Sequence, residues 1–338
     1  MKKIGSHTMK RMLSGIKPSG ELTLGNYLGA LKNFVKYQNE YEMFVFIANL
    51  HCITVYQDPK ELKKHLKDAV ALYLASGLDK DKSTIFLQTD VLEHAQLGFI
   101  LSCNTYMGEM NRMTQYKDKE ASGEKNITVG FYSYPTLMAA DVLIYDADFV
   151  PVGHDQKQHV EITRDIAERF NNRYSPTFVV PEPLIPITGA RIMSLSEPTK
   201  KMSKSEHHNK GVIYMLDKPE VIRKKIMSAK TDMDNSIRFD PESKPGISNL
   251  LQIIAACQDI SIGQAVENHQ HQNYGEFKSA AADIVIEMLR PIQERYHEII
   301  ASDIIEQILL EGKEKAQRIA FKKLDKVQRK IGLEFRRK

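Results

Sequence analysis

The sequence predicts an α/β fold in which a doubly wound parallel sheet is followed by a C-terminal all-α domain. Apolar segments of strand length alternate with helical patterns through about residue 170, which is typical of βαβ units. After about Pro219 the strand-like segments stop and only helical periodicity continues. The 338 residues also exceed the ~250–300 at which a single core stops growing, so we expect two lobes.

The first lobe contains four predicted strands, which cover residues 13–16, 43–48, 84–87 and 148–152. The run 43–48 is apolar on both faces, as expected for a parallel sheet covered on both sides. The helices predicted around these strands cover residues 25–37, 58–77, 94–104, 107–120, 131–145 and 156–170. Asp58 is the predicted N-cap of its helix, because proline follows at the first helical position.

The second lobe is predicted to be helical over residues 221–228, 247–257, 262–267, 274–290, 291–300 and 303–331. The proline- and glycine-bearing stretch from Pro181 to Pro198 is the predicted hinge. The predicted units are a sheet domain (9–200), a mobile lysine-rich loop (201–210), a helical domain (211–295) and a basic C-terminal helix (296–338). We expect that helix to pack back on the sheet domain, and we set residues 1–8 aside as a possible tag or tail.

Composition excludes several classes of protein. No window approaches the ~20 apolar residues of a membrane span, and no apolar signal region follows the basic N-terminus. The three cysteines are scattered, which argues against a disulfide framework, a zinc site or an iron–sulfur cluster and favours the cytoplasm.

Residues 313–338 carry eleven Lys/Arg against three acidic residues, whereas the net charge of the whole chain is only +4. This tail is either a nucleic-acid contact or a solvated helix face.

Two segments suit phosphate binding. In the first, the turn Gly15–Gly20 runs into Thr23-Leu24-Gly25-Asn26 at a helix start, where backbone N–H groups and the helix dipole favour anions. Thr23 and Asn26 could donate hydrogen bonds to phosphate oxygens, although an ordinary loop-to-helix junction would look the same. In the second, Lys201-Met202-Ser203-Lys204-Ser205 presents two ammonium groups and two hydroxyls, which can grip a leaving pyrophosphate. A basic surface loop would give the same five residues without that role.

These segments resemble known signatures. Lys201–Ser205 is identical to the second hallmark of class I aminoacyl-tRNA synthetases, and Thr23–Asn26 stands where that class carries its first. With the lead-in Pro18-Ser19-Gly20, the variant resembles the bacterial-type tryptophanyl-tRNA synthetases. The resemblance runs from about residue 12 to 330. It includes Tyr134-Pro135, Met138–Asp141, Val150–His159, Thr163–Asp165 and Arg169–Asn171.

The resemblance implies a Rossmann-like catalytic domain that binds ATP and tryptophan, and a helical domain that recognises the anticodon. The implied ATP-binding residues are Lys17, Pro18, Ser19, Gly25, Asn26, Gly153, Asp155, Ile192, Lys201, Met202, Ser203 and Lys204. The implied catalytic residues are Lys201, Lys204, Lys119, Thr23 and Asn26. They would act by positioning and charge stabilisation, since the reaction needs no protein nucleophile.

Asp141 is the expected acceptor for an indole N–H, because it follows two alanines in an apolar helix and a carboxylate forms a charge-assisted bond there. The residues alone also allow a capping or helix-dipole role for it. The other tryptophan-binding residues that the resemblance implies are Leu13, His51, Tyr134, Met138, Val150, Val152 and Gln156. Among them, Tyr134 and Gln156 would hold the substrate ammonium group.

Tyrosine is the competing substrate, because the tyrosyl enzymes are similar in fold. They usually carry Gly-Ser-Asp-Gln-Trp where this chain has Gly153-His154-Asp155-Gln156-Lys157, which favours tryptophan. His154, Lys17 and Leu13 depart from the usual residues, and Lys17 adds a positive charge beside the nucleotide. Two competing functions are a small-cofactor adenylyltransferase and a non-catalytic RNA-binding paralogue.

The resemblance also implies the partners: L-tryptophan, ATP with Mg²⁺, tRNA(Trp) and a second copy of the chain in a homodimer that meets near residues 94–120. We expect the magnesium ligands to be phosphates and water. We expect neither a structural metal nor a membrane association.

Overall fold

The computed structural model describes residues 9–124, 126–153, 156–185, 191–202 and 209–334. Its centre is a five-stranded parallel sheet with the strand order β3-β2-β1-β4-β5. The strands are β1 (Arg11–Ile16), β2 (Glu42–Ile47), β3 (Ser83–Leu87), β4 (Phe149–Pro151) and β5 (Glu182–Leu184). Strand order reverses between β1 and β4, and such sheets bind ligands outside the carboxyl ends of the strands at this point.

Helices cover the sheet and form the C-terminal lobe, so the predicted fold class is confirmed. In the sheet region they are α1 (Leu24–Asn26), α2 (Lys32–Tyr37), α3 (Pro59–Ala75), α4 (Glu93–Ser102), α5 (Met107–Met110), α6 (Thr114–Ala121), α7 (Val129–Leu143) and α8 (Lys157–Arg173). In the helical lobe they are α9 (Pro219–Met227), α10 (Pro245–Gln258), α11 (Ile262–His269), α12 (Tyr274–Ile300) and α13 (Ile304–Ile331). Asp58 caps α3 as predicted, accepting from the Lys60 and Glu61 N–H groups.

Alternate residues of the strands face two separate cores. On one face, side chains such as Met12, Val45 and Ile85 belong to a core that continues into the helical lobe. On the other face, side chains such as Leu13 and Phe86 pack with α4, α7 and α8. Both faces are therefore buried, which explains the continuous apolar runs in the sequence.

Three local features differ from the prediction. The predicted hinge begins with β5, a fifth strand; Pro183 has no N–H to donate, and it is tolerated because β5 is an edge strand. The predicted break at Pro291 is wrong, since α12 continues through it with the neighbouring Leu289 and Ile292 buried. A π-helical turn, Tyr27–Leu31, separates α1 from α2 within the predicted first helix.

The last helix lies against the sheet rather than in solvent. A Cβ placed on Gly312 of α13 would lie 1.8 Å from the Ile85 carbonyl oxygen, so only glycine permits this approach to β3. Further along α13, the buried Lys323 pairs with Asp146 and donates to the Thr177 carbonyl at 2.9 Å. The predicted domain boundaries remain predictions, and residues 203–208 of the lysine-rich loop lie outside the described residues.

Candidate active site at the carboxyl ends of β1 and β4

A cavity of about 460 Å³ opens at the reversal point of the sheet. The carboxyl ends of β1 and β4 form its floor, and α7 and the turn after β2 form a side. All eight predicted tryptophan-binding residues line this cavity. Its walls are the apolar Leu13, Met138, Val150 and Val152, and its polar side chains include His51, Tyr134, Asp141 and Gln156.

Asp141 is fully buried and holds three hydrogen bonds. Its Oδ1 accepts from Gln88 Nε2 at 2.8 Å and pairs with His94 Nδ1 at 2.6 Å, while Oδ2 pairs with His51 Nε2 at 2.8 Å. Burial alone would raise the pKa of Asp141, but the hydrogen bonds from His51 and His94 outweigh it and lower that pKa. Asp141 is therefore an ionised, acceptor-only group with one oxygen still able to accept.

A chain of polar groups behind Asp141 fixes its orientation. His94 joins Asp141 to the Tyr145 hydroxyl, which lies 2.7 Å from His94 Nε2. Because the ionised Asp141 can only accept, His94 donates to it from Nδ1, and His94 Nε2 is hydrogen-bonded to the Tyr145 hydroxyl. Burial, then the charges of Asp141 and Glu93, raise the pKa of Tyr145 and keep its proton in place. Gln88, His94 and Tyr145 were not predicted from the sequence; the signals for them are a polar residue directly after β3 and the four-residue spacing from Asp141 on α7 to Tyr145 just past its end.

Tyr134 lies at another edge of the cavity. Its hydroxyl donates to Gln115 Oε1 at 2.8 Å and is also hydrogen-bonded to His159 Nε2. Burial raises the pKa of Tyr134, so the hydroxyl keeps its proton throughout the neutral range. Gln156 precedes α8 and lines the same space. Gln115 was not predicted from the sequence.

Some residues of the first phosphate segment (residues 15–26) line the cavity, and others form the helix start. Lys17, Ser19, Asn26 and Gly153 line the cavity, and burial lowers the pKa of Lys17. Thr23 is 1% exposed and forms a capping box with Asn26: Asn26 N–H donates to Thr23 Oγ1 at 3.2 Å, and Thr23 N–H donates to Asn26 Oδ1 at 3.0 Å. Thr23 therefore caps the helix start, Pro18 is buried, and neither residue lines the cavity.

The second phosphate segment meets the first in space. Met202 N–H donates to the Ile192 carbonyl at 3.0 Å, and Lys201 forms an antiparallel bridge with Met193. A Cβ on Gly25 would lie 3.7 Å from Ile192 Cβ and 3.9 Å from Met202 Cβ. Two segments about 180 residues apart in sequence are thus close together, next to Asn26, which lines the cavity.

Four other predicted site residues are not part of the cavity lining described above. Asp155, Ser203 and Lys204 lie outside the described residues. Lys119, on α6, pairs with Glu124, and its Nζ lies 5.1 Å from the centre of the Phe131 ring, outside the cavity lining.

Within the described ranges no cluster of three His, Cys, Asp or Glu side chains could hold a metal ion. None of the helices in those ranges is both long enough and apolar enough to span a bilayer.

Residues 6–290 match the family described as tRNA synthetases class I (W and Y). A tryptophan–tRNA ligase of Bacillus anthracis is 51% identical over 330 residues, which is 98% of this chain and 100% of the relative. The fold is similar to the tryptophanyl-tRNA synthetase of Mycoplasma pneumoniae, with a TM-score of 0.88 and 39% identity over 97% of this chain and 99% of that one. The Campylobacter jejuni enzyme, solved with ADP and tryptophan, aligns with a TM-score of 0.82 and 38% identity over 96% and 100% of the two chains.

Proposed function

This chain belongs to the tRNA synthetases of class I that act on tryptophan and tyrosine, and we propose that the cavity at β1 and β4 activates L-tryptophan with ATP. The chain is a tryptophan–tRNA ligase, like its relatives at about half identity over nearly their whole length. The observation that carries the substrate assignment is the buried, ionised Asp141 beside apolar walls, which calls for an apolar ring with an N–H donor.

In the first step, a tryptophan carboxylate oxygen attacks the α-phosphorus of ATP. The bond from that phosphorus to the bridging oxygen breaks, and pyrophosphate leaves with the electron pair. In the second step, the 2′-hydroxyl of the terminal tRNA adenosine attacks the activated carbonyl carbon, and AMP leaves as the hydroxyl proton is lost. Catalysis consists mainly of positioning and charge stabilisation.

On the tryptophan side, Asp141 accepts the indole N–H while Leu13, Met138, Val150 and Val152 contact the ring. His51 holds Asp141 from the cavity side, which reserves one acceptor position of the carboxylate for the ligand. Tyr134 and Gln156, which both line the cavity, would offer oxygen atoms to the ammonium group of the substrate.

On the nucleotide side, Lys17, Ser19, Asn26 and Gly153 line the part of the cavity that would take ATP. Gly25, Ile192 and Met202 support that end, and Pro18 and Thr23 shape the turn before it. Lys201, Lys204 and Lys119 would neutralise the pyrophosphate as it leaves, and Asp155 and Ser203 would bind the ribose and the phosphates. Mg²⁺ would arrive with ATP and withdraw charge from its phosphates, because the described residues offer no carboxylate cage of their own.

The assembly we propose is a homodimer that binds tRNA(Trp) in the cytoplasm. Large apolar side chains are exposed on and beside α4 and α5: Leu92, Phe99, Tyr106 and Met107, each more than half exposed. We call these four residues the α4–α5 apolar surface, and such patches mark interfaces. The helical domain over 211–295 would recognise the anticodon, with the lysine-rich loop (201–210) between it and the catalytic domain (9–200).

Exchange of labelled pyrophosphate into ATP tests the proposed reaction. We expect exchange that requires tryptophan and Mg²⁺ and that stops when the metal is chelated. Tyrosine in place of tryptophan should give almost none. Exchange with tyrosine would favour a tyrosine-activating relative, and none with either amino acid would favour a non-catalytic RNA-binding paralogue.

A further inference from the structure

An amide side chain of the helical lobe binds the hairpin that carries Lys201. Asn249, on α10, is 2% exposed. Its Oδ1 accepts the Met193 N–H at 2.8 Å, and its Nδ2 donates to the Met193 carbonyl at 2.9 Å. Two opposed hydrogen bonds to one residue fix both the position and the orientation of that stretch of backbone.

Met193 is the residue that faces Lys201 in this hairpin. Their bridge is flanked by bonds from Met202 N–H to the Ile192 carbonyl at 3.0 Å and from Ser194 N–H to the Lys200 carbonyl at 2.8 Å. In this antiparallel pattern the N–H and C=O of Met193 point away from the strand of Lys201. Asn249 therefore pairs with the outward-facing N–H and C=O groups of Met193, on the side of that residue opposite to Lys201.

Two further contacts hold the hairpin against α10. Lys230 N–H donates to the Leu195 carbonyl at 2.8 Å. At the start of α10, a Cβ on Gly246 would lie 1.9 Å from the Lys230 carbonyl oxygen, so the helix touches this backbone directly. The buried Lys244 anchors that helix start by donating to Asp232 Oδ1 and to Tyr274 Oη, both at 2.8 Å.

We propose that Asn249 is a positioning residue that sets, from the helical lobe, the placement of the backbone at Lys201 and Met202. Asn249 does not line the cavity, so it acts through Met193 on the residues that would bind pyrophosphate. The inference rests on the proposed function. It adds a residue, outside both signature segments, on which pyrophosphate formation depends.

The test is Asn249→Asp, which keeps the shape of the side chain but replaces the Nδ2 donor with an acceptor facing the Met193 carbonyl. We expect the kcat of tryptophan-dependent pyrophosphate exchange to fall by about tenfold or more, the cost of one lost buried bond. The tryptophan Kd should stay within about twofold, because the residues around Asp141 are untouched. Asn249→Ser, which removes both bonds, should show the same split.

Asn171→Asp is the matched control. Asn171, on α8, makes the same kind of contacts within the sheet domain: Oδ1 accepts from Thr177 N–H at 2.8 Å, and Nδ2 donates to the Phe178 carbonyl at 2.9 Å. We expect this variant to lower the thermal midpoint while its exchange kcat stays normal.

Unchanged exchange in the Asn249 variants would overturn the inference. So would an equal loss of tryptophan binding and exchange, or an equal fall in the control, since Asn249 would then only support the fold. A wild-type chain without any exchange would instead remove the proposed function on which the inference rests.

Discussion

At the scale of single residues, the negative charge that Asp141 brings to the cavity depends on the hydrogen bonds that its carboxylate accepts. An ionised carboxylate has about four lone-pair sites, and Gln88, His94 and His51 occupy three of them. The bonds to the two histidines keep the carboxylate ionised although it is fully buried. The fourth site is what a ligand donor would use.

Asp141→Asn should weaken tryptophan binding by about 10–100-fold, because a charge-assisted acceptor is lost and the amide presents N–H to its histidine neighbours. The chain contains no tryptophan, so titration of the ligand can be followed by its own indole emission. Asp68→Asn is the control: Asp68 accepts from the Tyr296 hydroxyl, outside the cavity lining, and should leave the affinity unchanged. A normal Kd for Asp141→Asn would rule out the indole contact.

Lys17→Gln should raise the KM for ATP, because the variant loses a positive charge from the part of the cavity that we propose takes ATP. Burial lowers the pKa of Lys17, so in the wild type the ammonium deprotonates at a lower pH than an ordinary lysine. The charged form binds phosphate, and therefore the wild-type KM should rise as pH increases toward that lowered pKa. The measurement is the KM for ATP against pH in both proteins. An equal KM at neutral pH would contradict the role.

The family resemblance, joined for Asp141 by its setting in an apolar helix, implied eight residues around the amino acid; all eight line the cavity, but the side chains behind them were not predicted. Gln88 and His94 come from the end of β3 and from α4, and they reach Asp141 only when α4 packs on α7. Nothing in the local sequence near Gln88 or His94 indicates that approach. Their roles depend on tertiary packing.

At the scale of elements, helix starts could be predicted from the sequence, whereas close contacts between elements could not. Asp58-Pro59 is a local capping pattern and was predicted from the sequence, whereas Thr23 and Asn26 were expected to bind phosphate and form a capping box in the structure. β5 was not predicted because Pro181 directly precedes it and Pro183 lies within it, and prolines spaced in this way usually indicate a loop. Its pairing with β4 supplies the reason for a strand there.

Gly312→Ala should destabilise the chain by about 2–4 kcal/mol, because the added Cβ would overlap the Ile85 carbonyl and force α13 away from β3. Urea unfolding followed by circular dichroism measures the loss. Gly263→Ala, in α11, is the matched control: its nearest contact would be Ser261 Oγ at 3.8 Å, and helix propensity predicts a neutral or slightly stabilising effect. Equal stability of the two variants would contradict this account of how α13 docks.

At the scale of the whole molecule, one core joins the sheet to the helical lobe. Residues of β1, β2 and β3 and of α10 and α12 belong to the same buried cluster. The hydrogen bond from Tyr296 of α12 to Asp68 of α3, at 2.7 Å, adds a polar contact across this junction. The helical lobe therefore packs directly on the domain that carries the cavity.

Phe99→Glu should convert the proposed dimer to a monomer, because it places a charge on the α4–α5 apolar surface, where Phe99 is 72% exposed. Sedimentation equilibrium of the wild type and the variant gives the answer. Phe321→Glu changes an equally large side chain, 63% exposed on α13, and should remain dimeric. A wild-type monomer, or two dimeric variants, would exclude this surface as the interface.

The sequence by itself determined the alternation of strands and helices, because local periodicity sets it. Short motifs indicated the two phosphate segments, and the family that these motifs resemble implied the residues around the amino acid. Only the tertiary structure decided that Met202 lies against Gly25, that Asn249 holds Met193 and that His94 and Gln88 share Asp141. The physical reason is that each of these contacts joins residues at least 47 positions apart, and packing, not local propensity, selects such partners.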